Sequence, residues 1–165
     1  MHQSVSTSSL MADGQWPVPS SLPLPSPMPT PINFISTNNE WEQRFGYARL
    51  ARAGDLVLIG GTVAIDASGN PFAPADAGAQ TTRCYEIIES VLKEAGLDRF
   101  SIMRSRIFTT DITQAEKVGL AHHAFFAAHN PSHTPALTQV GTSELIAPEF
   151  VVEIECEAWA GESQK

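Results

Sequence analysis

Residues 134–159 read TPALTQVGTSELIAPEFVVEIECEAW, and the alternation in this run decides the fold. It divides into two strand-like pieces, PALTQVG and EFVVEIECEAW, joined by a loop. In the second piece Phe150, Val152, Ile154, Cys156 and Ala158 alternate with Val151, Glu153, Glu155, Glu157 and Trp159. A period of two places the first set on one face of a strand and the carboxylates on the other. The apolar face needs a cover from elsewhere in the chain. The acidic face has two alternatives. Left wet, its glutamates are ordinary solvated side chains. Covered by a second subunit, at least one of them becomes an acid with a displaced pKa, suited to proton transfer.

Working toward the N-terminus, DITQAEKVGLAHHAFFAAHNP predicts a helix with Val118, Ala121, Phe125 and Ala128 on its core face. Thr113 and Glu116 supply a T-x-x-E capping box, and Asn130-Pro131 ends the run. IMRSRIF over 102–108 predicts a strand. Residues 77–95 predict a second helix, with Cys84, Ile87, Ile88, Val91, Leu92 and Ala95 at helical spacing and Gly96 as the stop. Earlier still, strands over about 47–53 and 56–65 flank Gly54-Asp55, a hairpin signal. Gly60 and Gly61 interrupt the second of them, which marks a bulge or a close backbone approach.

The resulting order, β-β-α-β-α-β-β, predicts an α+β fold: a five-stranded mixed sheet with two helices. Right-handed crossovers return both helices to the same face. The opposite face, bearing Val, Trp and the glutamates, is left without a helix. Burial against identical subunits in closed symmetry is the expected solution.

The 165 residues fit one domain plus an appendage. Seven of the twelve prolines fall in the first 31 residues, among serines and threonines, so 1–31 is expected to be a flexible Pro/Ser-rich tail and 32–165 the domain. The alternative for the tail is a docking peptide for a groove that reads proline. No Lys or Arg precedes Arg44, which does not fit a secretory or mitochondrial signal. Cys84 and Cys156 stand far apart with no C-x-x-C, as expected of core residues in a reducing, cytoplasmic compartment. Apolar content of 42% and charged content of 17% are globular values. No apolar run approaches the ~18 residues that a membrane helix needs. A net charge of −8 without any Lys/Arg cluster argues against a nucleic-acid partner.

Five stretches, in order, give the chain a specific resemblance: FGYARLARAGDLVLIGGTV, AQTTRCYEIIESVLKEAGL, RSRIFTTDI, AFFAAHN, and PAL followed by VEIECEA. Together they resemble the Rid family (YjgF-like, reactive intermediate deaminases) over residues 45–159. The resemblance implies a fold similar to chorismate mutase and a homotrimer with active clefts between subunits. It further implies hydrolysis of reactive imines or enamines without a cofactor. By position, Tyr47 matches the tyrosine that lines the cleft, and Glu153 the carboxylate that positions or activates water. Thr138 and Gln139 match the cleft residues after PA-R, with Gln139 where a Cys is common. Gly61 and Thr62 match the Gly-Gln backbone step on the opposite wall.

Two positions depart from the pattern. Leu137 stands where the active deaminases carry arginine, and Gly119 where asparagine is frequent on the second helix. Leucine cannot provide the bidentate fork that grips a substrate carboxylate, so a neutral or apolar substrate is expected. His122 replaces a tyrosine common in the family and is placed at the cleft rim. His122, His123, His129 and His133 otherwise read as surface or interface residues, and without a helical carboxylate beside them no metal site is expected. The expected function is Glu153-assisted proton transfer or hydrolysis on a reactive imine, enamine or activated carbonyl. The alternatives are a non-catalytic trimeric small-ligand-binding protein, favoured by Leu137, and a ribonuclease, disfavoured by the acidic balance.

Overall fold

A computed structural model describes residues 31–161, so nearly all of the segment expected as a tail lies outside the described residues. Six strands form one sheet: β1 (Asn33–Ile35), β2 (Leu50–Ala53), β3 (Leu56–Val63), β4 (Ile102–Thr109), β5 (Ala136–Gly141) and β6 (Val152–Trp159). Their order across the sheet is β1-β2-β3-β6-β4-β5. Only β4 and β5 run parallel; the other pairs are antiparallel, so the sheet is mixed. The last strand in sequence thus sits in the middle, paired on both sides.

Its alternation explains that position. Phe150, Val152, Ile154, Cys156 and Ala158 are all buried. They pack under helix α2 (Ala77–Glu94), which buries Ala77, Gln80, Thr81, Cys84, Tyr85, Ile88, Val91 and Leu92. Helix α3 (Ala115–Ala127) lies beside α2 and adds Val118, Phe125 and Phe126. Each such apolar side chain, fully buried, contributes roughly 1.5–3 kcal/mol. The Gly54-Asp55 turn forms as expected, with Gly54 at φ 61 and Ala53 paired to Leu56. Gly60 and Gly61 form a bulge: Ile59 faces Cys156 and Thr62 faces Ile154, leaving two residues of β3 opposite Glu155 alone.

Several expectations need correction. The sheet has six strands rather than five, because the three-residue β1 is too short to show any period. NNEWEQRF does not lead directly into a strand. It forms a short helix, α1 (Glu40–Phe45), capped by the Asn39 side chain and closed by Gly46 at φ 69. The strand expected over about 47–53 therefore starts only at Leu50. The Thr113/Glu116 capping box does not form. Asp111 accepts from Thr113 N and opens a 3-10 turn over Ile112–Gln114, and α3 begins only at Ala115 without a side-chain cap. Phe126 joins Val118 and Phe125 in the core, whereas Ala128 lies past the last helical residue, Ala127, and is exposed. Ile87 is half-buried rather than core.

Candidate active site

The face away from α2 and α3 carries a ladder of opposite charges. Cross-strand partners share a face, and the register sets Arg104 against Glu157 and Arg106 against Glu155. Arg104 pairs with Glu157, and Arg106 pairs with Glu155 through Nε and reaches Glu157 at 3.2 Å. These glutamates are neither free in water nor covered by a partner in the single chain; arginines on the next strand neutralise them. The Glu157 carboxyl is accordingly held low, chiefly by its hydrogen bond from Arg104.

Glu153 is different. Its partners in register are Val63 on one side and Phe108 on the other, both uncharged. Among the described residues it makes no side-chain hydrogen bond. Its carboxylate lies on Gly61, where a Cβ would come within 1.9 Å of Oε1. The bulge glycine therefore leaves the space that the carboxylate occupies. Burial raises the Glu153 pKa above the usual carboxylate value, with attraction to Arg49 opposing the rise and repulsion from Glu155 adding to it.

Arg49 connects the rest of the site. Its side chain is only 11% exposed, and its Nη1 donates to the Gly61 carbonyl at 2.5 Å while Nη2 lies 3.3 Å from the Tyr47 hydroxyl. Its Nε faces Glu42 Oε1 at 3.4 Å. Glu42 is itself enclosed, accepting from Ser36 Oγ, Thr37 N, Thr37 Oγ1 and Asn39 Nδ2. Burial would raise its pKa, but these hydrogen bonds and Arg49 outweigh it and hold the carboxyl low. A groove lined by Phe34, Gln43, Gly46, Tyr47 and Ala51 opens beside this cluster. Neither Glu42 nor Arg49 stood out in the sequence. A glutamate three residues after Asn39 in NNEWE matches a capping signal, and that was the one available hint.

The remaining expected residues fall in two places. Tyr47, Gly61 and Glu153 come together on the open face, joined through Arg49. Thr138 is also on that face, paired with Arg106 on the edge strand. Thr62 is turned the other way: it is buried beside Ile154, and its hydroxyl donates to the Gly60 carbonyl. Leu137 and Gln139 pair with the buried Ser105 and Ile107, so they belong to the helix side of β5. Leu137 is 41% exposed there, and Gln139 Nε2 is buried with no partner among the described residues. Gly119 lies on α3 with open space where a Cβ would project. His122, also on α3, sets its Nδ1 2.7 Å from the Tyr85 hydroxyl. Burial, with a smaller contribution from His123, lowers the His122 pKa, and burial raises that of Tyr85. This hydrogen bond ties α3 to α2 on the helix side of the sheet. Within one chain, the open-face set and the helix-side set do not meet.

An α+β domain with one helix-covered sheet face and an isolated carboxylate on the other is the class these features define. The family described as Endoribonuclease L-PSP matches residues 37–160, and the chain belongs to this YjgF/Rid family. The chain is 32% identical to Rv2704 of Mycobacterium tuberculosis, a YjgF/YER057c/UK114 family member, covering 78% of this chain and 99% of that one at TM-score 0.66. The Rid-family protein YyfA from Yersinia pestis is 25% identical, with 78% and 99% covered and TM-score 0.69. A RutC family protein, y4sK of Sinorhizobium fredii, is 25% identical over 101 residues, 61% of this chain and 80% of that protein.

Proposed function

We propose that this protein is a Rid-type small-molecule enzyme acting on a reactive imine, enamine or activated carbonyl, with Glu153 as the group that moves the proton. The observation that carries this reading is the isolation of Glu153. Glu155 and Glu157 on the same strand face are tied to arginines, whereas Glu153 is half-buried on Gly61 with a raised pKa. A carboxylate in that state suits general acid–base work. Tyr47 supplies a hydroxyl on the same wall.

The second wall comes from another copy of the chain. Leu137, Gln139, Gly119 and His122 lie on the helix side, so only assembly can bring them to a cleft that also holds Glu153 and Tyr47. The exposed apolar residues of the open face, Phe34, Leu56, Leu58, Met103, Val140 and Trp159, support a homotrimer that covers them. Leu137 at the anchor position makes the substrate neutral or apolar rather than a 2-imino acid. No cofactor enters this chemistry: water adds to the C=N carbon, a proton moves to nitrogen, and ammonia leaves as the carbonyl forms. A ribonuclease reading is not favoured, because the net charge is −8 and Arg104 and Arg106 are occupied by glutamates. The test is a panel of neutral imines and enamines with ammonia and carbonyl readouts. Turnover of a neutral member above that of 2-imino acids is expected; binding without turnover across the panel would favour a ligand-binding protein instead.

A further inference from the structure

Arg49 bridges the two groups assigned to chemistry, although no charged ligand is needed to explain its presence. It reaches Tyr47 Oη, the Gly61 carbonyl beneath Glu153, and Glu42 from α1. Its guanidinium also lies 5.5 Å from the centroid of the Tyr47 ring. A planar fork with several fixed donors can hold such divergent acceptors at once, which an ammonium cannot do. Glu42 gives the clamp its rigidity: it is 3% exposed, and four protein donors besides Arg49 fix its carboxylate.

We propose that Arg49, clamped by Glu42, is a positioning residue that fixes the Tyr47 hydroxyl and the Gly60-Gly61 bulge and places a positive charge beside the Glu153 carboxylate. The proposal rests on the reading of Glu153 as the acid–base group. The groups that act on Glu153 are few. Arg49, just before β2, is the cation; Glu155, on β6 with Glu153, is an anion already paired to Arg106; the Cys84 thiol of α2 is buried, which raises its pKa. The neighbours in register, Val63 and Phe108, carry no charge. Glu42 acts indirectly, by holding Arg49.

The full chain, labelled with 13C at glutamate carboxyls, is titrated by NMR with Glu153→Gln used to assign the resonance. Replacing Arg49 by Gln should move the Glu153 midpoint upward by about one unit or more, since an opposite charge nearby lowers a carboxyl by ~1–3 units. Arg49→Lys should restore most of the midpoint but leave Tyr47 unheld, so any turnover stays low while its pH profile returns. If Arg49→Gln does not fold because Glu42 is left unpaired, the double variant Glu42→Gln/Arg49→Gln removes both charges and should shift the midpoint in the same direction by a smaller amount. A Glu153 midpoint unchanged in either folded variant overturns the proposal. The titration requires no substrate, so it stands or falls separately from the proposed chemistry.

Discussion

The two faces of the sheet are made by the same strands and behave as two different materials. On the helix side, β6 presents Val152, Ile154, Cys156 and Ala158 to a core that one chain completes by itself. On the other side, the same strand presents Glu153, Glu155 and Glu157, surrounded by arginines and exposed apolar residues. The covered face stores stability. On the open face Glu155 and Glu157 are paired to arginines while Glu153 is not, and that difference is the basis of the function proposed for it. One strand therefore serves both, because its period of two keeps the functions apart.

The largest expected effect comes from breaking the covered face. Ile154→Ala empties a fully buried site and should cost about 2–5 kcal/mol in denaturant unfolding, independent of protein concentration. Leu58→Ala, on the open face at 46% exposure, should cost little in dilute protein, and its effect should grow as concentration rises and copies associate. A Leu58→Ala effect that does not vary with concentration would mean that no partner copy covers this face.

Glu42→Gln sharpens the comparison, because Glu42 is a buried charge on the open side. Losing charge-assisted hydrogen bonds there should cost about 2 kcal/mol at pH 7. The sign with pH follows from the lowered carboxyl. Its stabilisation is present above the ordinary value of 4.5 and is lost as pH falls through the folded-state value. Wild type and variant should therefore converge in acid, and a gap that persists at low pH would show that packing rather than charge is at work.

A smaller effect is expected at the edge strand. Leu137→Arg adds the missing fork on an exposed position of β5, and small 2-oxo acids should then bind roughly 10- to 100-fold more tightly, the scale of ~1.5–3 kcal/mol for a charge-assisted hydrogen bond. Isothermal titration of the folded assembly measures this directly. No gain across a panel of carboxylates would remove Leu137 from the ligand cleft.

The covered face was legible in the sequence because burial there follows period. The alternation of 150–158 and the 3.6-residue spacing of Cys84, Ile88, Val91 and Leu92 both appear as core. The glycine pair also announced its bulge. What stayed hidden depends on tertiary pairing. Arg104 and Arg106 look like ordinary strand charges until register sets them against Glu157 and Glu155. Gln80 looks like a helix-surface residue, yet it is buried, donating to the carbonyls of Phe72, Ala73 and Glu149 and accepting from Val151 N and Val152 N. Glu42 and Arg49 are seven residues apart, and only the turn at Gly46 and Tyr47 brings them into contact. The resemblance named Tyr47 and Glu153 but carried no information about the arginine between them.

The central claim is that Glu153 differs in kind from the two glutamates beside it. Turnover of a neutral imine by Glu153→Gln and Glu155→Gln, each in a correctly folded assembly, tests it most directly. Glu153→Gln keeps the shape and removes the ionisable group, so the rate should fall by roughly 100-fold or more, while Glu155→Gln stays within a few-fold of wild type. Near-normal turnover by Glu153→Gln, or an equal loss in both variants, would contradict the account.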